Sequence, residues 1–135
     1  MTKALETGVL RGRPYGGTMI MINNKLRNST VNVASSECFG IVRIGDCLII
    51  NVYLPCSGTP DRLLIIQDVL TECLSWCEHF SGCNYIIAGD FNANLQQSGP
   101  ASDLINSFIS QYGLYRSDVL FNKIDHPTYD NLALK

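Results

Sequence analysis

Two apolar runs broken only by Gly45-Asp46 constrain this chain more than any other feature. In ECFGIVRIGDCLIINVYLP, residues 37–55, Gly then Asp separates two stretches rich in β-branched and apolar residues. A two-residue hairpin turn asks for such a pair, because glycine reaches positive φ at little steric cost. The pattern predicts two antiparallel strands over 38–44 and 47–54. The residues that follow can cover their apolar face. Residues 57–60 break the alternation, and Thr59-Pro60-Asp61 reads as an N-cap, a proline at the first helical position and an acid in the first turn. Leu63, Ile66, Leu70, Cys73, Leu74 and Cys77 then recur at spacings of three and four, which makes one apolar helical face. His79 and Gly82 suit its C-terminal end.

Residues 84–95 read NYIIAGDFNANL. Coming after a helix stop, 84–88 is predicted to be a strand, central in its sheet because it is apolar on both faces. Residues 89–95 are then the loop at its carboxyl end. Upstream, 1–17 is a polar, glycine-containing opening loop, and TMIMIN, 18–23, is predicted to be a short strand. Downstream, 101–112 is predicted to be a helix ended by Gly113, and the tail holds at most one further strand.

At 135 residues, with 46% hydrophobic and 16% charged residues, the expectation is one soluble globular domain. CLIINVYL is too short to span a bilayer and contains Asn51, so no membrane role is expected. The first 17 residues place charges where a secretory signal needs an apolar core, which points to an intracellular protein of the nucleus or cytoplasm. In that setting the six cysteines are expected to be reduced thiols. No Cys-x-x-Cys pair occurs, and Cys73 with Cys77 falls in the apolar helical pattern, so buried thiols are preferred to a zinc site. A net charge of −2 argues against nucleic-acid binding by bulk charge alone. The charge is unevenly placed, however. Lys3, Arg11, Arg13, Lys25 and Arg27 face a lone Glu6 in the first 27 residues. That segment is either a solvated rim or a phosphate-facing patch, with Arg11, Arg13, Lys25 and Arg27 as candidate nucleic-acid contacts.

Asp90-Phe91-Asn92 is the candidate chemistry. Along an extended chain residues 90 and 92 share a side while Phe91 turns the other way, so a carboxylate and a carboxamide would point out together from a hydrophobic anchor. A carboxylate can orient and deprotonate water or bind Mg²⁺, and an amide can donate to a phosphate oxygen. The alternative is a loop in which both side chains bond their own backbone. Strand ends are where α/β proteins place ligand sites, and NVYLP supplies a second polar strand end.

GRPYGGTMIMINNKL, then NVYLP, then a helix, then IIAGDFNANL resembles, in this order and spacing, the endonuclease/exonuclease/phosphatase superfamily. It is most similar to the endonuclease domains of non-LTR, LINE-type retrotransposons. The likeness covers about residues 11–95 and continues more weakly to Thr128-Tyr129. It implies a four-layer α/β (α+β) sandwich, two β-sheets face to face with helices outside, and hydrolysis of phosphodiester bonds in DNA with Mg²⁺ or Mn²⁺. Asp90 matches the aspartate that orients or activates the water and is a candidate metal ligand. Asn92 matches the asparagine at the scissile phosphate, and Tyr53 the tyrosine whose hydroxyl reaches it. Relatives also carry an asparagine on an opening strand, a metal-binding glutamate, a late aspartate and a Ser-Asp-His motif. None of these matches here, and Asp125-His126-Pro127 lies before Thr128-Tyr129 rather than after it. The resemblance therefore implies a central fragment, 1–135 being one partial domain incomplete at both ends. Its own activity is expected to be low or absent, and it would belong to a longer polyprotein with a reverse transcriptase. A remnant that at most binds nucleic acid or protein, and a small-molecule or lipid phosphatase of the same fold, are the alternatives.

Overall fold

The computed structural model describes residues 17–117 and residue 119. They form two compact units, one ending at Asn92 and one beginning at Ala93.

The first unit is built on a mixed sheet whose strands lie side by side in chain order: β1 (Thr30–Ser35), β2 (Phe39–Ile44), β3 (Cys47–Tyr53) and β4 (Asn84–Asp90). β1, β2 and β3 run antiparallel, whereas β4 pairs parallel to β3. A parallel neighbour needs a crossover, and helix α1 (Arg62–His79) supplies it. The chain is thus α/β. The hairpin forms where the sequence places it: Ile44 pairs with Cys47, and Gly45 alone of the two turn residues takes positive φ, at 60°. That is the arrangement of a type II′ turn.

Alternation sorts the strands into two faces. On one, Phe39, Ile41, Leu48, Ile50 and Val52 are all buried. Arg43 belongs to the same face and lies over the Phe80 ring at 5.5 Å, just past the end of α1, which sets the helix on this side. The helix contributes Ile66, Val69, Leu70, Cys73 and Cys77 to the core. Burying each large apolar side chain here contributes about 2 kcal/mol. The other face carries Val42, Ile44, Ile49 and Ile86, none of them fully buried, and Ile86 is 57% exposed.

Several local expectations change. Residues 18–23 join no ladder. The inside-outside alternation is nevertheless present: Thr18, Ile20 and Ile22 are half-buried while Met19 and Met21 are exposed. The segment is tied by Gly17 N–H to Glu37 O and by Asn51 Nδ2 to Met19 O, and Thr18 packs over Gly40, where a side chain would crowd it. A 3-10 helix, Asn24–Ser29, follows and leads into β1, a strand not anticipated from sequence. β1 is short and polar, and a bulge interrupts its register between Asn32 and Ala34. α1 begins at Arg62, later than Thr59-Pro60 suggests, because Asp61 adopts φ 54 and its side chain makes no cap bond. β4 extends to Asp90 and is the last strand of the described sheet rather than a central one. Its two apolar faces reflect one half-buried side and one open side.

In the second unit, α2 (Pro100–Gln111) starts with Pro100 at its first position, matching the predicted helix to one residue. Ser102 Oγ donates to Asn94 O at 2.8 Å and Asn106 Nδ2 to Leu95 O at 3.0 Å, fixing the preceding loop to the helix. Among the described residues no helix is long and apolar enough to cross a membrane.

Candidate active site at the strand ends

The carboxyl ends of β3 and β4 lie side by side because the ladder is parallel. Val52 pairs with Gly89 and Tyr53 with Asp90. Partners in a ladder project to the same face, so the Tyr53 and Asp90 side chains are neighbours on the sheet's open side. Both are exposed, Tyr53 by 40%.

Gly89 makes this closeness possible. Its φ is 136°, a region closed to residues with a Cβ, and a Cβ there would overlap the Val52 carbonyl oxygen and come within 2.8 Å of Val52 N and 2.9 Å of Asn51 Oδ1. Beyond Asp90 the chain turns sharply. Asn92 takes φ 47, so the extended alternation ends before it. Asn92 N–H donates to Asp90 Oδ1 at 3.0 Å, and Asn92 Nδ2 donates to Leu54 O at 2.9 Å. Leu54, fully buried, also donates its N–H to Asp90 O at 2.8 Å. The sequence offered two readings of Asp90 and Asn92, a paired outward site or a self-bonded loop, and features of both are present. Asp90 remains exposed with one oxygen used by the turn. Asn92 is half-buried and aimed at the β3 end, not out with Asp90. Phe91 is likewise half-buried and no member of the core.

Arg62 is the participant that sequence reasoning missed. Its Nε donates to Pro55 O at 2.9 Å and its Nη2 to Asn92 O, so one guanidinium joins the loops after β3 and β4. The available signal was an arginine at the very start of a helix, where a cation opposes the macrodipole. Cys56 is exposed, with its sulfur 3.7 Å from Thr59 Oγ1.

The basic candidates do not gather here. Lys25 and Arg27 are exposed on the 3-10 helix that precedes Thr30, and Thr30 pairs with Ile44 at the hairpin end of the sheet. Tyr53 lies at the other end of β3, roughly 20 Å away at the rise of an extended chain. Arg27 lines an open groove of about 370 Å³ with Asn23, Asn24, Thr30, Asn32 and Val42. Arg11 and Arg13 lie outside the described residues, as do Asp125-His126-Pro127 and Thr128-Tyr129.

Among the described residues no cluster of three or more His, Cys, Asp or Glu can hold a metal. Asp90 offers a divalent cation one carboxylate, which by itself is not a complete site. The cysteines are free thiols. Burial pushes the Cys73 thiol up to about 12, helped by Cys77 and Glu72, and the Cys77 thiol up to about 11, with Glu78 adding to it. Burial and the Glu37 charge also raise the Cys38 thiol. Cys73 and Cys77, buried and held neutral, are core residues, whereas Cys38 is half-buried.

Compared with models of known protein families, with curated proteins and with solved structures, the chain matches none.

Proposed function

We propose that the strand-end site belongs to a DNA phosphodiesterase of the endonuclease/exonuclease/phosphatase kind, close to the retrotransposon endonucleases, slow in this chain taken alone. The observation that carries the reading is the pairing of Tyr53 with Asp90, with Asn92 bonded across to Leu54. Tyr53, 37 and 39 positions before Asp90 and Asn92 in sequence, meets both of them at adjacent strand ends.

In this reading Asp90 orients the attacking water and accepts its proton. The Asn92 N–H holds one carboxylate oxygen still, so the other faces the reaction. Tyr53 donates its hydroxyl to a phosphate oxygen, and Asn92 supports the site through its bond to the Leu54 carbonyl. Mg²⁺ or Mn²⁺ belongs to the proposal through the resemblance, and the described residues provide only Asp90 for it. The half-open face with Val42, Ile49 and Ile86 is where the second sheet of a four-layer sandwich would pack. The partners that follow are DNA as substrate and a reverse transcriptase in the same polyprotein, and the setting is the nucleus or cytoplasm.

A second reading, a non-catalytic module that binds nucleic acid or protein, is favoured by one observation. Both side chains are already engaged by backbone groups, Asp90 Oδ1 by the N–H of its own loop and Asn92 Nδ2 by the Leu54 carbonyl. Nicking of supercoiled plasmid with Mg²⁺, compared between the unmutated chain and Asp90→Ala, separates the two. Nicking lost on substitution supports hydrolysis, and DNA binding without any nicking supports the module.

A further inference from the structure

Among the described residues only two other than glycine take positive φ, Asp61 at 54° and Asn92 at 47°. Arg62 connects them. It follows Asp61 directly, and its guanidinium donates to the carbonyl of Asn92 as well as to that of Pro55. Positive φ outside glycine persists where neighbouring bonds over-determine it, and such residues cluster at functional sites. At Asn92 those bonds are three: its N–H to Asp90 Oδ1, its Nδ2 to Leu54 O, and its own carbonyl receiving Arg62. The first helical position is a poor place for a cation, so helix stability does not account for Arg62. Bridging two carbonyls does, since the planar guanidinium offers several rigidly spaced donors that an ammonium lacks.

We propose that Arg62 is the positioning residue of the strand-end site. By fastening the Asn92 carbonyl to the Pro55 carbonyl it holds the left-handed turn at Asn92, and that turn fixes the Asp90 carboxylate beside Tyr53. Arg62 acts through Asn92 and has no step of its own in the reaction. The inference rests on reading Tyr53, Asp90 and Asn92 as one site, yet its test runs without the reaction.

The experiment is NMR on the isotope-labelled 135-residue chain. In the unmutated protein the Arg62 Nε–H is expected to exchange with water at least about tenfold more slowly than that of exposed Arg27. In Arg62→Ala, the Asn92 N–H and Nδ2 protons should exchange about tenfold faster and the Asp90 carboxyl carbon should shift, while Leu48 and Ile50 amides stay within about twofold of their original rates. Arg62→Lys keeps the charge without the fork and should resemble Arg62→Ala. Added methylguanidinium should bring Asn92 protection partly back in Arg62→Ala and leave Arg62→Lys unchanged. Unchanged Asn92 protons in folded Arg62→Ala overturn the proposal. So does an Arg62 Nε–H that exchanges as fast as that of Arg27 in the unmutated chain, a comparison that decides the matter even where Arg62→Ala does not fold. The phosphodiesterase reading fails on a different result, plasmid nicking that survives Asp90→Ala.

Discussion

Tyr53 and Asp90 are partners in the parallel ladder of β3 and β4, so a phenol and a carboxylate 37 positions apart emerge side by side from one face of the sheet. Everything proposed for the site depends on that register. It is enforced one step earlier, where Gly89 faces Val52.

Gly89→Ala should therefore be among the most damaging substitutions in the chain. Its Cβ would overlap the Val52 carbonyl oxygen, and the backbone at φ 136 rejects a side chain in any case. The expected loss is roughly 3 kcal/mol or more, measured by urea unfolding. A loss under 1 kcal/mol would mean that β4 does not approach β3 as described.

Asn92→Ala and Asn92→Gly should part company. Alanine loses the bond to Leu54 and also bears the strain of φ 47, whereas glycine loses the bond alone. The alanine variant should be less stable than the glycine variant by about 1 kcal/mol. Equal stabilities would show that the left-handed turn is not kept in solution.

The elements that could be read in advance were those whose signals are local. Gly45-Asp46 specifies its turn by backbone chemistry, and the three-and-four spacing of Ile66, Leu70, Cys73 and Cys77 specifies the buried face of α1. β1 was not legible, because Asn32 and Ser35 dilute its pattern and a bulge shifts it. That β4 is the last strand of the described sheet depends on which strands neighbour it, which no local run encodes. Asp90, Asn92 and Tyr53 stood out by motif. Arg62 did not, since its partners are two backbone carbonyls, at Pro55 and Asn92, and carbonyls leave no mark in a sequence.

Alkaline pH should weaken the fold through its thiols. In the folded chain burial raises Cys73 to about 12 and Cys77 to about 11, against about 9 for a free thiol. Between these values the unfolded chain has released protons that the folded chain still holds, so stability falls as pH rises. The contribution is intact below about pH 9 and is lost progressively toward pH 11 to 12. Unfolding midpoints at pH 8 and pH 10.5 should differ less in Cys73→Ala/Cys77→Ala than in the unmutated protein. An equal difference in both would place the pH sensitivity elsewhere.

DNA binding, where it occurs, should depend on salt through the 3-10 helix. Lys25 and Arg27 are exposed there, at the hairpin end of the sheet. Replacing both with glutamine should lower the slope of log affinity against log salt by about 2, one counterion for each charge. A slope unchanged by the double substitution would remove these residues from the interface.

The most direct measurement is the nicking of supercoiled plasmid by the purified chain with Mg²⁺ or Mn²⁺, set beside an EDTA control and Asp90→Ala. Hydrolysis at the strand ends predicts slow nicking that EDTA abolishes and that Asp90→Ala reduces by about 100-fold or more. Nicking that persists at the original rate in Asp90→Ala would contradict it.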